Sequence, residues 1–180
     1  MKIYYFTPYS LNKNLGAAYN EYMRLLPCDD DYACFIDADA MFLNPLFGTQ
    51  INTIITNNPN VGMFTAVTNR VGNPRQCYKN KISKDANIIH HKDISSLLCK
   101  KSPYRLSKID YPISGHLMII QKKVWNHFHF NEDLKILGVD NDISNRLLNA
   151  GYKIYLMQGV YLFHYYRLNE GGHSFKNHLL

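Results

Sequence analysis

Tyr32-Ala33-Cys34-Phe35-Ile36-Asp37-Ala38-Asp39-Ala40 is a short apolar run that ends in two carboxylates one residue apart. Its length and aromatic and aliphatic content read as a buried β-strand. A strand places residues i and i+2 on one face, so Asp37 and Asp39 are expected to project together while Ala38 points away. Two hard oxygen donors at a strand end suit Mn²⁺ or Mg²⁺, and such an ion can carry a diphosphate. Acidic pairs of this kind also recur on solvated turns. The apolar run ahead of this one sets it apart.

Before the run, residues 2–7 form a short apolar strand stopped by Pro8-Tyr9-Ser10. Asn14 stands where a helix N-cap belongs. Leu15, Ala18, Tyr19, Tyr22 and Leu26 then mark one face of an amphipathic helix. Strand, helix and strand predict a right-handed crossover and a parallel pair. Ligands of open α/β sheets bind at the carboxyl ends of the strands, which here means Pro8 and Tyr9 beside Asp37 and Asp39. Pro8 and Tyr9 therefore lie where a ligand is expected, with ordinary turn packing the other reading of Tyr9.

After the run, Ile51, Ile54 and Ile55 indicate a second short helix, and residues 61–67 another strand. Residues 68–112 show little periodicity and read as one long basic loop region, with a turn or two of helix at 93–101. Arg70 and Gln76 fall in this region just after a strand; a ligand contact is one reading for them, and a mobile loop is the preferred one. Ser114-Gly115 precedes a strand at 116–121 and a short helix near 123–127. Asp140 and Asp142 open a helix with Ile143, Leu147 and Ala150 on its apolar face and Gly151 as its stop. Two further strands follow at 153–157 and 160–163, the second ending at His164. The tail from residue 170, with Gly171-Gly172, reads as flexible.

With 180 residues, 46% of them hydrophobic and 19% charged, the chain reads as one soluble compact domain spanning 1–180. No apolar run is long enough for a membrane span and no signal-peptide pattern opens the chain, so a cytoplasmic location is expected. Cys28, Cys34, Cys77 and Cys99 make no C-x-x-C pair, which argues against a zinc site or a disulfide framework. The net charge is +6, and much of it lies in Lys79, Lys81, Lys84, Lys92, Lys100, Lys101, Arg105 and Lys108. Such a run is either a solvated loop or a patch for anionic membrane lipid or a phosphorylated acceptor. A peripheral membrane contact fits the charge. No recognised nucleic-acid module accompanies it, so no nucleic-acid partner is expected.

Three separated patterns fall in one order. Asn14-Leu15-Gly16-Ala17-Ala18-Tyr19-Asn20 leads into Asp37-Ala38-Asp39; Ser114-Gly115 leads into a strand and a basic helix start. Gly138-Val139-Asp140-Asn141-Asp142-Ile143 through Arg146-Leu147 is followed by Ala150-Gly151-Tyr152 and a strand ending at His164. Together they resemble the family 2 glycosyltransferases of the GT-A fold. The resemblance implies a three-layer α/β/α domain with a mostly parallel central sheet. It implies an inverting, Mn²⁺- or Mg²⁺-dependent transfer of sugar from a nucleotide diphosphate sugar to the hydroxyl of a saccharide or other acceptor. Asp39 would then bind the metal directly, Asp37 would contact the ribose or a metal-bound water, and His164 would be the third ligand. Asp140 would be the catalytic base, with Asp142 the second choice, Pro8 and Tyr9 would stack on or line the nucleotide-base pocket, and Ser114 and Gly115 would meet the acceptor.

Two departures accompany the resemblance. Val139 stands where the family has a Glu, and only a turn joins the first strand to the first helix, where the family inserts a strand, helix and strand. Base recognition is then rebuilt elsewhere, relaxed or lost. Two other activities fit the same residues: nucleotide-sugar binding without transfer, and phosphoesterase chemistry with Asp37, Asp39 and Asp140 around two ions.

Overall fold

A computed structural model describes residues 1–168. The tail from residue 170 lies outside the described residues. A mixed sheet of seven strands runs in the order β1(Ile3–Phe6), β2(Tyr32–Ile36), β6(Leu117–Gln121), β4(Met63–Thr68), β7(Ile154–His164) and β3(Ala40–Phe42), with β5(Leu106–Ile109) also on β7. The parallel pairings are β1 with β2 and β4 with β7; the other four are antiparallel. Strands β1, β2, β4 and β7 thus share one direction, and β6 is the antiparallel strand set between the two parallel pairs.

Side chains alternate across the sheet, as the period of two requires. On β2, Ala33 and Phe35 face one core with α1(Leu15–Arg24), α4(Lys122–Trp125) and α5(Val139–Asn149), whereas Tyr32 and Cys34 face the other with α2(Phe47–Asn57). Helices therefore cover both faces. The first core is built on an aromatic cluster in which Tyr19 lies 4.7 Å from both Phe35 and Phe130. The Asn20 side chain ties α1 into the same core, with its Oδ1 accepting from Trp125 Nε1 at 2.8 Å and from the Phe130 N–H at 2.9 Å.

The helix signals are physical ones. Asn14 caps α1 by accepting from the Ala17 N–H at 3.0 Å. Gly138 and Gly151 bracket α5 at φ +85° and +82°, backbone that only glycine adopts without strain. Three expectations change. Residues 68–112 are not one loop: they contain the 14-residue helix α3(Ile88–Lys101), capped by Asn87, and the strand β5. The two strands expected at 153–163 are one continuous β7, whose pairing with β4 skips between Met157 and Tyr161. Gly159 lies within the skipped stretch, where a Cβ would stand 2.3 Å from the Ser102 carbonyl oxygen. Strand β3 was not anticipated. No helix among the described residues is long and apolar enough to cross a membrane.

Candidate metal centre and its cavity

The acidic pair does not continue strand β2. The Ala40 N–H donates to the Asp37 carbonyl at 3.0 Å, folding residues 37–39 into a tight turn that starts β3. The carboxylates still converge, because the turn and the β3–β7 pairing aim them. Ala40 is registered against His164, and the Tyr165 N–H donates to the Asp39 carbonyl at 2.9 Å. His164 Nε2 lies 3.0 Å from Asp39 Oδ1 and 3.4 Å from Asp37 Oδ2. The ligand atoms of Asp37, Asp39 and His164 all fall within 4.8 Å of one another, a group able to hold a metal ion.

The imidazole is held from behind. His164 Nδ1 donates to the Arg70 carbonyl at 3.0 Å, and Nε2 faces the carboxylates. A metal-ligating histidine takes this arrangement, with its other nitrogen donating to a carbonyl. Buried Asn69 clamps the backbone of His164 on both sides, accepting from its N–H at 2.7 Å and donating to its carbonyl at 3.1 Å. One imidazole nitrogen and two carboxylate oxygens suit Mn²⁺ better than Mg²⁺, which prefers an all-oxygen shell with retained waters.

The local fields follow from this packing. Hydrogen bonding from His164 holds the Asp39 carboxyl below its ordinary range. Asp37 is pushed up to about 6 by loss of water, against the pull of His164, with Asp39 and Asp140 repelling it. Behind the triad, His116 is completely buried, its ring centroid 6.0 Å from that of His164 and its Nε2 2.9 Å from the Ala66 carbonyl. Burial, aided by His164, lowers its pKa to about 3, so His116 is a neutral prop. Nothing in the sequence singles it out.

Asp37, Asp39, His164, Ser114, Gly115 and Asp140 line one open cavity of about 570 Å³, within the range of small-ligand sites. Asp140 sits in the first turn of α5, where Oδ2 accepts from the Gly115 N–H at 2.7 Å and Oδ1 from the Asn141 N–H at 2.9 Å. Burial still raises its pKa. The packing opposite it is tight, since a Cβ on residue 115 would stand 3.0 Å from Asp140 Cβ and would press on that side chain. Gln76, expected in a mobile loop, is fully buried and pins Ser114, accepting from its N–H at 2.7 Å and donating to its carbonyl at 3.0 Å. Arg70 is likewise fixed, donating to the Ser83 carbonyl at 3.2 Å.

Three expected contributors are not brought to this cavity. Asp142 pairs with Arg146 at 2.7 Å, the i,i+4 partner on its own helix, and does not line the cavity. Pro8 and Tyr9 do not line it either, and Tyr9 is 71% exposed. The physical reason is residues 131–135, which lie across the start of α1. The Leu15 and Gly16 N–H groups both donate to the Lys135 carbonyl, at 2.8 and 3.3 Å, and Asn14 Nδ2 donates to the Glu132 carbonyl. The N–H groups that could have received a phosphate there are already satisfied. The wall on this side consists instead of Leu15, Tyr19, Ile136 and Leu137.

No protein-family model matches the chain, and a search of curated proteins returns no significant match.

Proposed function

We propose that the chain is a metal-dependent glycosyltransferase of GT-A type that moves a sugar from a nucleotide diphosphate sugar to an acceptor hydroxyl with inversion. One observation carries the reading: Asp37, Asp39 and His164 share a single cavity with Asp140 and Ser114-Gly115. The three ligands would hold Mn²⁺, which when bound neutralises the departing diphosphate. Asp140 stands apart from them as the base. Each of its oxygens accepts one backbone N–H and keeps a lone pair, so it can take the proton of an incoming hydroxyl while staying oriented. Its raised pKa makes it a stronger base than an exposed aspartate. Gly115 leaves room for the acceptor to approach the backbone. Arg167, the one lysine or arginine lining the cavity among the described residues, supplies positive charge for the diphosphate.

A second reading, nucleotide-sugar binding without transfer, draws on Pro8 and Tyr9 lying outside the cavity, which removes the base contact expected at the end of β1. A two-ion phosphoesterase has less behind it, because the described residues form one three-ligand group and Asp140 is outside it. The test is sugar-nucleotide turnover with Mn²⁺ by wild type, Asp39→Ala and Asp140→Ala. Transfer is expected in wild type and loss of about 10²-fold or more in each variant. Undiminished turnover in both variants overturns the assignment, and binding without turnover by wild type selects the second reading.

A further inference from the structure

The basic character of residues 79–101 acquires a shape in the structure. This stretch holds six lysines against two aspartates, a net charge of four of the chain's +6. At its centre, the segment before α3 and the start of that helix expose large aliphatic side chains: Ile89 is 72% exposed, Ile82 47% and Ile88 40%. Lys81, Lys84 and Lys92 stand exposed beside them in the chain. A solvated face has no use for three isoleucines, and an ordinary protein contact is depleted in lysine. Aliphatic side chains interspersed with lysines are what the boundary of an anionic bilayer accepts, the lysines meeting headgroups and the isoleucines entering the acyl edge.

Two exposed acids, Asp85 and Asp93, share the stretch and are outnumbered by its six lysines; Asp85 Oδ1 accepts the Asn87 N–H at 2.8 Å and its Oδ2 lies 3.9 Å from His90. The patch is also tied to the metal centre. The Ser83 N–H donates to the Asn69 carbonyl at 2.9 Å, and the Ser83 carbonyl accepts from Arg70. Asn69 and Arg70 are the residues that hold His164.

We infer that the turn before α3 and the first turns of that helix, with Ile82, Ile88 and Ile89 among Lys81, Lys84 and Lys92, form a docking surface for anionic lipid membranes. The surface is reversible and peripheral, and it places the cavity's edge of the sheet close to the bilayer. It stands independently of the transfer chemistry.

The experiment is flotation of the full chain with phosphatidylcholine vesicles, with and without about 30% phosphatidylglycerol. Wild type floats with the anionic vesicles only, and the bound fraction falls several-fold between about 0.1 and 0.5 M salt as the Debye length shortens and the lysine charges are screened from the headgroups. Ile89→Ser and Lys92→Glu each lower partition about five- to tenfold. Leu25→Ser removes an apolar residue that is 66% exposed at the far end of α1, and it leaves partition unchanged. Unchanged thermal melts show that the variants are folded. Wild type remaining unfloated with anionic vesicles overturns the inference, as does equal flotation of Ile89→Ser, Lys92→Glu and wild type. Capture of a single-stranded oligonucleotide without vesicle flotation overturns it too.

Discussion

His164 Nε2 lies 3.0 Å from Asp39 Oδ1 across 125 residues of chain, and the contact is set by backbone on both sides. Ala40 pairs with His164 in the sheet, so the imidazole comes from the end of β7 and the carboxylate from the tight turn that leads directly into its neighbour β3. Sites built on strands hold their geometry with less loss of side-chain freedom than sites on loops. The turn at 37–39 gives up the strand face but gains convergence of both acids on one nitrogen.

Asn69 is where this geometry is most exposed to a single change. Asn69→Ala leaves the His164 N–H and carbonyl without their side-chain partner in a buried setting. That costs about 2–4 kcal/mol of stability in urea unfolding. Mn²⁺ affinity by calorimetry is expected to fall about 10- to 100-fold, the range for losing a contact behind a ligand. Asp39→Ala, by contrast, is expected to abolish Mn²⁺ binding with little loss of stability, because its side chain is 47% exposed.

Gly16 presents a contest of signs. Glycine to alanine inside a helix ordinarily stabilises by about 1 kcal/mol. Here the new Cβ would stand 2.3 Å from the Asn131 carbonyl oxygen, a backbone atom that cannot move alone. Overpacking wins, and Gly16→Ala is expected to destabilise by about 1–3 kcal/mol. A urea midpoint equal to or above wild type would show that residues 131–135 are not held against α1.

His116 makes a pH prediction. The folded state keeps it neutral down to about 3, whereas the unfolded chain takes up a proton near 6.5. Its contribution to stability is complete above the unfolded value and is lost progressively as pH falls from there toward 3, because the unfolded state then binds more protons. Between pH 7.5 and pH 5 the loss is about 2 kcal/mol. His116→Gln keeps a donor for the Ala66 carbonyl and cannot titrate. The difference between its urea stabilities at the two pH values should be smaller than that of wild type by this amount.

What could be read from the chain divides by the kind of partner each residue finds. Asn14, Gly138 and Gly151 announce helix ends because their roles are local, and the helix face of Leu15, Ala18, Tyr19 and Tyr22 needs no distant information. Helix α3 hides because its buried side holds His91, Ile94 and Ser95 while Ile88 and Ile89 face out, which breaks the apolar period. The continuity of β7 hides because Gln158-Gly159 reads as a turn. Asp37, Asp39, Asp140 and His164 were legible from their order along the chain, and they share one cavity. Pro8 and Tyr9 were placed by a general rule about strand ends, which cannot foresee a carbonyl from residue 135 occupying the helix start. Asn69, Gln76 and His116 stayed out of view because each is a buried polar side chain bonded to backbone, and backbone carries no sequence signature.

Gln76 allows the two halves of the cavity to be separated by experiment. Its amide accepts the Ser114 N–H, donates to the Ser114 carbonyl and reaches Thr65 Oγ1 at 3.2 Å, so it fixes the backbone that leads into Gly115. Gly115 in turn fixes Asp140. Gln76→Ala orphans the Ser114 N–H and leaves the Ser114 carbonyl with only His116 Nδ1, 3.3 Å away, so it is expected to lower stability by about 1–3 kcal/mol. It loosens the base by one remove, so sugar transfer should fall about 10²-fold, as misplacement near the reacting atoms costs. His164, the proposed metal ligand, is held by other contacts, from Asn69 and the Arg70 carbonyl, and the two halves touch only through the His116 ring, so Mn²⁺ affinity should fall far less than transfer. Parallel loss of Mn²⁺ affinity and transfer would mean that Ser114-Gly115 and the triad move as one unit. Asp140 could then no longer be distinguished from a support of the metal centre.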